Sequence, residues 1–187
     1  MTEAYSSEEA HILLASARHA IAERLGLARQ PALAPTARLK EMRGAFVTLR
    51  LRADHELRGC VGFVEPRYAL IEAVTRAARA AAFADGRFDP VAGAELPGLV
   101  IEVSVLGPAR PIRPEDVAIG VHGLILRHAG RSGLLLPQVP VEQGWDRESF
   151  LDATCRKAGL WSGAWHDAGA QLLGFTAVVI GEEAEMA

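Results

Sequence analysis

The chain has 187 residues, of which half are hydrophobic and 23% are charged, and its formal net charge is −3. This composition excludes collagen-like and intrinsically disordered proteins, and charged residues interrupt every apolar run before it reaches the roughly 20 residues of a membrane span. The acidic N-terminal residues do not resemble a signal peptide. Because Cys60 and Cys155 are too few for a disulfide framework, we expect a reduced, cytoplasmic protein with no membrane association.

Basic residues are concentrated in one part of the chain. Between Thr36 and Arg87, ten basic and six acidic residues give a local net charge of +4. An asymmetry of this size does not indicate a nucleic-acid partner.

The first predicted element is an α-helix. Ser6 and Glu9 have the spacing of a capping box, apolar residues then recur at helical intervals, and Gly26 is placed to end the helix. The next elements are predicted to form a β-hairpin, because β-branched and aromatic residues over 44–51 and 57–64 flank a polar turn.

A second helix is predicted after the hairpin. Pro66 suits its first turn, and Asp85 next to a glycine marks its end. Apolar content predicts a strand over 99–106. Two further apolar runs, at 121–127 and 131–136, are separated by a tight turn and predict a second hairpin.

The C-terminal region is predicted to contain one helix and one strand. Asp146 is a good N-cap and Gly159 lies just past the end of the helix. The last strand is predicted over 172–180. Strands that come mostly in hairpins, with helices between them, indicate an α+β fold with a mostly antiparallel sheet flanked by helices, and not a doubly wound nucleotide-binding fold.

The segment Leu57–Phe63 is the strongest candidate for a functional site. Gly59 and Gly62 weaken a strand, which suggests a bulge or the close approach of another backbone or of a ligand. In a regular strand Cys60 shares a face with Arg58, whose guanidinium would favour the thiolate. Two interpretations stay open: a reactive or substrate-contacting thiol in a glycine-lined groove, or a buried structural cysteine whose glycines let a helix pack closely.

Three further residues are candidates with less support. His122 is either a general acid/base or metal ligand, or a hydrogen-bonded core or edge histidine. Arg87 could bind an anionic group through two hydrogen bonds or pair locally with a carboxylate. Gln138 could present its amide to a cleft or lie in a solvated loop. The sequence has no phosphate-binding glycine-rich loop and no metal-ligand spacing, so we predict no cofactor and no metal site.

Eight segments of the chain together carry a family resemblance. The segments are 44–49, 57–62, 81–88, 101–106, 122–126, 135–139, 144–146 and 155–160. In this order they resemble the AMMECR family, known in prokaryotes as AmmeMemoRadiSam system protein A. The element Leu-Arg-Gly-Cys-Val-Gly at 57–62 is the family's hallmark, in which isoleucine is usual where Val61 stands. Small departures are Gly86, where the family more often has proline, and Asp89, where a second proline is common.

The resemblance implies more about fold than about activity. It implies one AMMECR-type domain over residues 4–183, with short tails at 1–3 and 184–187, and two unequal subdomains with a cleft between them. The family has no securely assigned reaction, and its association with a Memo-like protein and a radical-SAM protein suggests a shared pathway. The site residues that it implies are Arg58, Gly59, Cys60, Gly62, Arg87, His122 and Gln138.

Two functional hypotheses remain. In the first, the chain is an enzyme or a substrate-handling component that acts on an unknown small molecule, with Cys60 and His122 as candidate catalytic residues. In the second, it is a non-catalytic partner or scaffold that docks the Memo-like or radical-SAM protein. The glycine-flanked cysteine beside Arg58 favours the first hypothesis, and the lack of cofactor and metal signatures favours the second.

Overall fold

A computed structural model describes residues 4–29 and 31–182, so the tails predicted at 1–3 and 184–187 lie outside the described residues. The helices are α1 (Ser7–Arg24), α2 (Leu70–Phe83), α3 (Gln138–Glu142) and α4 (Arg147–Lys157). The strands are β1 (Ala45–Leu51), β2 (Leu57–Phe63), β3 (Leu99–Leu106), β4 (Arg110–Pro111), β5 (Gly123–His128), β6 (Arg131–Leu135), β7 (Gln171–Phe175) and β8 (Ala177–Gly181).

The chain divides into two compact units. The smaller unit is Gly107–Ala177, and the larger unit comprises the residues before and after it. The larger unit contains a four-stranded sheet in the order β2-β1-β3-β8, and the smaller unit contains a four-stranded sheet in the order β4-β7-β5-β6. β1 pairs with β2 and β3, and β5 pairs with β6 and β7, all in the antiparallel sense. The predicted α+β fold with mostly antiparallel pairing is therefore confirmed.

The core of the larger unit lies between its sheet and the helices α1 and α2. One face of β1, formed by Ala45, Val47 and Leu49, is fully buried. The facing side of α2 is rich in alanine, and small side chains let the helix backbone approach the strands closely. α1 begins with the predicted capping box, in which Ser6 and Glu9 each bond the other's backbone N–H.

The second helix begins later than the sequence indicates. The prediction of a start at Pro66 is wrong, because α2 begins at Leu70. The residues before it pair with another segment: Arg43 N–H donates to the Tyr68 carbonyl (3.3 Å), and Leu70 N–H donates to the Glu41 carbonyl (2.8 Å). These bonds hold the chain extended up to the helix start.

The predicted last strand is two strands in different sheets. The prediction of one strand over 172–180 is wrong, because the sheet pairing changes at Thr176, between β7 and β8. The Gly107 N–H donates to the Thr176 carbonyl at 2.8 Å. This hydrogen bond stands where a continuous strand would bond to its neighbouring strand in the same sheet. The apolar composition is the same on both sides of Thr176, so periodicity carries no signal of the switch.

Among residues 4–29 and 31–182, no helix combines the length and the apolar character that crossing a bilayer requires.

Candidate functional site

The hallmark strand β2 is irregular at Arg58. Leu49 of β1 pairs with Gly59, whereas the next residue, Arg50, pairs with Leu57, so Arg58 is an extra residue in a β-bulge. The premise of a regular strand, from which Arg58 and Cys60 were expected to share a face, is therefore wrong.

The Arg58 side chain is held by contacts within the larger unit. Its Nε donates to Oε1 of Glu95 at 3.0 Å, and the guanidinium lies 5.9 Å from the centre of the Phe88 ring. The side chain is only 13% exposed. This ion pair connects β2 to the 3₁₀ turn Gly93–Gly98. The Arg58 charge, which was expected to favour the Cys60 thiolate, is therefore neutralised by Glu95.

The two hallmark glycines are required by close packing. A Cβ on Gly59 would overlap the carbonyl oxygen of Ala81 in α2, and a Cβ on Gly62 would lie 2.6 Å from Cα of Phe46 in β1. Real Cβ atoms do not approach the backbone this closely. The approach of protein backbone thus accounts for both glycines, as the structural interpretation of the hallmark expects.

Cys60 is half-buried and its sulfur has a hydrogen-bond donor. Thr48, opposite Cys60 on β1, donates its hydroxyl to Sγ at 3.4 Å. Burial raises the pKa of the Cys60 thiol above its ordinary value, more than the Thr48 hydrogen bond and the Arg87 charge lower it. The Arg58 guanidinium, which was predicted to favour the thiolate, is paired with Glu95, and the net direction of the Cys60 pKa shift favours the neutral thiol.

The backbone of Cys60 is gripped by two side chains, which we call the Asp85–Arg87 clamp. The Cys60 N–H donates to Oδ2 of Asp85 at 2.9 Å, and Nη2 of Arg87 donates to the Cys60 carbonyl at 3.3 Å. Arg87 also donates to both oxygens of Asp85, at 2.9 and 2.7 Å. Because β2 is an edge strand, the clamp occupies the N–H and C=O groups that an added strand would use.

The charge state of the clamp follows from these bonds. The Arg87 guanidinium holds the pKa of the Asp85 carboxyl well below its usual range, and the Cys60 N–H acts in the same direction. The Asp85 side chain is 7% exposed and that of Arg87 is 53% exposed. Arg87 thus has the local carboxylate partner that was one of its two predicted roles, while much of its guanidinium still faces solvent.

Thr48 and the hydrogen-bonding role of Asp85 were not predicted from the sequence. A signal for Thr48 existed, since it is a polar residue opposite Cys60 once the hairpin register is known. No local signal pointed from Asp85 to Cys60, because the two residues are 25 positions apart and meet only through the packing of α2 on β2.

The remaining candidates lie in the smaller unit. His122 precedes β5, and its Nδ1 accepts a hydrogen bond from the Ala118 N–H at 3.0 Å, which closes a turn. This turn is the reason that β5 begins at Gly123 and not at the predicted residue 121. Gln138 was predicted to lie at the end of a strand or in a loop. It is instead the half-buried first residue of α3. The structure thus brings Cys60 and Arg87 together, whereas His122 and Gln138 belong to the other unit.

Over residues 4–29 and 31–182, no group of three or more His, Cys, Asp or Glu side chains is close enough to hold a metal ion.

Comparison with known proteins gives consistent matches over most of the chain. The profile of the AMMECR1 family matches residues 14–180. Protein MK0488 of Methanopyrus kandleri is 44% identical over 192 residues, covering 98% of this chain and 93% of that protein. Protein PH0010 of Pyrococcus horikoshii is 44% identical over 187 residues, covering 94% and 91%.

A solved structure is similar in fold as well as in sequence. The crystal structure of the uncharacterized protein PH0010 superposes with a TM-score of 0.88 at 43% identity, covering 95% of this chain and 93% of that one. Neither of these relatives carries a name that states an activity. The chain therefore belongs to the AMMECR1 family.

Proposed function

We propose that the chain is a substrate-handling component of a pathway shared with a Memo-like protein and a radical-SAM protein, and that it works by binding. The observation that carries this proposal is the half-buried Cys60 thiol, which accepts a hydrogen bond from Thr48 at 3.4 Å and whose pKa is raised by burial. Nucleophilic attack by cysteine requires the thiolate, so this thiol suits hydrogen bonding better than covalent catalysis. We place the protein in the cytoplasm, where its free thiols would stay reduced.

The proposed binding surface is a polar row across three strands. Thr48 of β1 is in register with Cys60 of β2 on one side and Glu102 of β3 on the other. Side chains in register on neighbouring strands lie on the same face of the sheet. The partly exposed Arg87 adds a positive charge that acts on Cys60. Thr48 is only 5% exposed and donates its hydroxyl to Cys60, so the groups that the row offers to a small polar molecule are the half-buried Cys60 thiol and Glu102 carboxylate.

The clamp supports binding by fixing the backbone beneath this row. Asp85 and Arg87 together satisfy both backbone groups of Cys60. A site whose groups are already held in place loses less conformational entropy when a ligand binds.

The role of Cys60 is tested in cells. We expect a strain whose only copy carries Cys60→Ser to keep the wild-type metabolite profile, because serine retains a neutral hydrogen-bonding group. Arg87→Gln should give the profile of the deletion strain. The control is Arg113→Gln, which removes an exposed guanidinium paired with Asp116. If folded Cys60→Ser behaves like the deletion while Arg87→Gln is normal, the thiol acts chemically and the binding proposal is wrong.

The partners are tested by calorimetry with the purified Memo-like and radical-SAM proteins of the same organism. We expect at least one of them to bind the wild-type chain and to bind Arg87→Gln about tenfold more weakly, which corresponds to about 1.4 kcal/mol. Lack of binding of both proteins at their highest soluble concentrations would contradict the proposed partnership.

A second candidate function is docking without substrate handling, and one observation favours it. Val121 and Val141 of the smaller unit are exposed. They lie on neighbouring segments, because a Cβ on Gly120 would be 3.2 Å from Cγ2 of Val141. Exposed apolar patches mark protein interaction sites. Docking predicts that the double variant Val121→Ser, Val141→Ser loses partner binding while Arg87→Gln keeps it, with the exposed Val179→Ser of the larger unit as control.

A further inference from the structure

The smaller unit contains a groove that none of the candidate residues discussed so far lines. Its volume is about 850 Å³, which lies within the range of small-molecule sites. It is formed where the start of α4 meets the 3₁₀ turns at Pro114–Asp116 and Ala164–His166. The groove therefore belongs wholly to the smaller unit and is independent of the hallmark.

The apolar part of the groove is formed by Pro114, Leu151 and Trp165. Leu151 is 2% exposed and belongs to the core behind the groove. The Trp165 indole N–H donates to Oδ1 of Asp152 at 3.0 Å, and its ring stacks on His166 with the ring centres 3.4 Å apart. These contacts fix the orientation of the indole, so the groove holds a preformed aromatic surface.

The polar part of the groove is negative. It is lined by three carboxylates, Glu115, Asp146 and Glu148, against the single guanidinium of Arg147. Three carboxylates and one guanidinium together contribute a net charge of −2 to the lining. The Arg147 guanidinium is engaged, since its Nη1 donates to the Glu115 carbonyl at 2.9 Å.

The three carboxylates differ in whether they already have a hydrogen-bond or ion-pair partner. Asp146 caps α4 by accepting from the Ser149 N–H at 2.8 Å, and Glu115 pairs with Arg113 at 3.5 Å. Within the described part of the chain, no side chain or backbone group pairs with the Glu148 carboxylate. Glu148 is thus the charge that remains available to a ligand.

We propose that this groove binds an organic cation, in which a guanidinium or ammonium group is carried on an aliphatic body. The aliphatic body would lie on Pro114 and Trp165, and the charged group would pair with Glu148. Aromatic rings attract cations that lie over their faces, and carboxylates pair with guanidinium groups through two hydrogen bonds. An anion would be repelled by the net charge of the lining, and a purely apolar ligand would leave the carboxylates unused.

The test is calorimetry on the full chain with three probes. Agmatine represents a small metabolite, acetyl-Gly-Arg-Gly-amide represents an arginine side chain of a protein, and acetyl-Gly-norleucine-Gly-amide supplies the aliphatic body without the charge. We expect at least one cationic probe to bind at least tenfold more tightly than the norleucine peptide, and its affinity to fall with added salt. Tighter binding of the peptide identifies a protein segment as the source of the cation, and tighter binding of agmatine identifies a metabolite.

Two variants locate the binding site. Glu148→Gln should weaken the cationic probe at least threefold, and Trp165→Leu should weaken it further if the variant folds. Glu8→Gln is the matched control, because Glu8 is also an exposed glutamate in the first turn of a helix. The proposal is overturned if neither cationic probe binds, if the norleucine peptide binds as tightly as the cationic probes, or if Glu148→Gln and Glu8→Gln have equal effects.

Discussion

The edge strands β2 and β6 meet their helices in the same way but are tied to them differently. Each is the outermost strand of its sheet. A Cβ on Gly59 of β2 would overlap the Ala81 carbonyl oxygen of α2, and a Cβ on Gly133 of β6 would overlap the backbone nitrogen of Ala158 at the end of α4. Gly133 lies outside the hallmark, so a glycine beneath a helix is a packing solution that this chain uses twice, and Gly59 by itself does not indicate a ligand.

The two units differ in which element supplies the side chain that bonds the other element's backbone. In the larger unit the segment after α2 supplies the Asp85–Arg87 clamp to the backbone of Cys60. In the smaller unit the strand supplies the side chain, because Nη1 of Arg131 donates to the Gly159 carbonyl after α4. The clamp is a buried carboxylate with an ion pair, whereas the Arg131 contact is exposed. The comparison indicates that the clamp distinguishes the hallmark strand from an ordinary edge strand.

The largest expected loss of stability comes from substituting the two packing glycines, Gly59 and Gly133. Gly59→Ala and Gly133→Ala should each lower the free energy of unfolding by about 2–3 kcal/mol, because the added methyl group meets backbone that cannot move aside. Urea denaturation of each variant measures the effect.

Gly86→Ala is the control for these substitutions. A Cβ on Gly86 would meet nothing within 4 Å, so its effect on the free energy of unfolding should stay within about 0.5 kcal/mol. If Gly59→Ala proved as mild as Gly86→Ala, β2 and β6 would not be equivalent in packing, and a ligand role for Gly59 would return.

The next largest effect is expected at the clamp. Asp85→Asn should lower the free energy of unfolding at pH 7 by about 2 kcal/mol, because it weakens charge-assisted hydrogen bonds to a carboxylate that is 7% exposed. The pKa of Asp85 is depressed in the folded state, so its stabilisation is present above the unfolded-state pKa of roughly 3.9 and is lost as the pH falls below that value. The difference between wild type and Asp85→Asn should be constant from pH 7 to pH 5 and shrink below about pH 4.

Asp116→Asn provides the exposed counterpart. Asp116 also pairs with an arginine and its pKa is also lowered, but its side chain is 49% exposed. Solvent screening should make its effect on the free energy of unfolding much smaller than that of Asp85→Asn. Equal losses for Asp85→Asn and Asp116→Asn would show that the clamp is only a surface ion pair.

A smaller effect is expected at the tie of β6. Arg131→Met should lower the free energy of unfolding by under about 1 kcal/mol, because it removes an exposed hydrogen bond to the Gly159 carbonyl while keeping the aliphatic stem. A loss as large as that of Asp85→Asn, measured by the same urea denaturation, would remove the distinction between the two edge strands.

Sequence patterns predicted the elements well where the cause is local. The capping box at Ser6, the hairpin of β1 and β2, and the N-cap at Asp146 depend on residues within a few positions of each other, and all three are present. The bulge at Arg58 and the change of sheet at Thr176 depend on pairing with distant strands, and the sequence carries no local sign of them.

The features of the candidate site also separate into those with a local cause in the sequence and those that depend on distant residues. Cys60, Gly59 and Arg87 could be singled out because their residue types are unusual in their local context. The shift of the Cys60 pKa could not be predicted from the sequence. It depends on the burial of the thiol and on Thr48, which the hairpin register places opposite Cys60. The pairing of Arg58 with Glu95 likewise joins residues 37 positions apart.

The account depends most directly on the protonation state of Cys60, which the pH dependence of its alkylation measures. The folded chain is treated with iodoacetamide at a series of pH values, and the modified peptides are resolved by mass spectrometry. The fully buried Cys155 should remain unmodified, which shows that the protein stays folded. The account predicts that the Cys60 rate rises with a midpoint above the ordinary thiol pKa of about 8.5. A midpoint near or below pH 7 would show a thiolate at neutral pH and would contradict it.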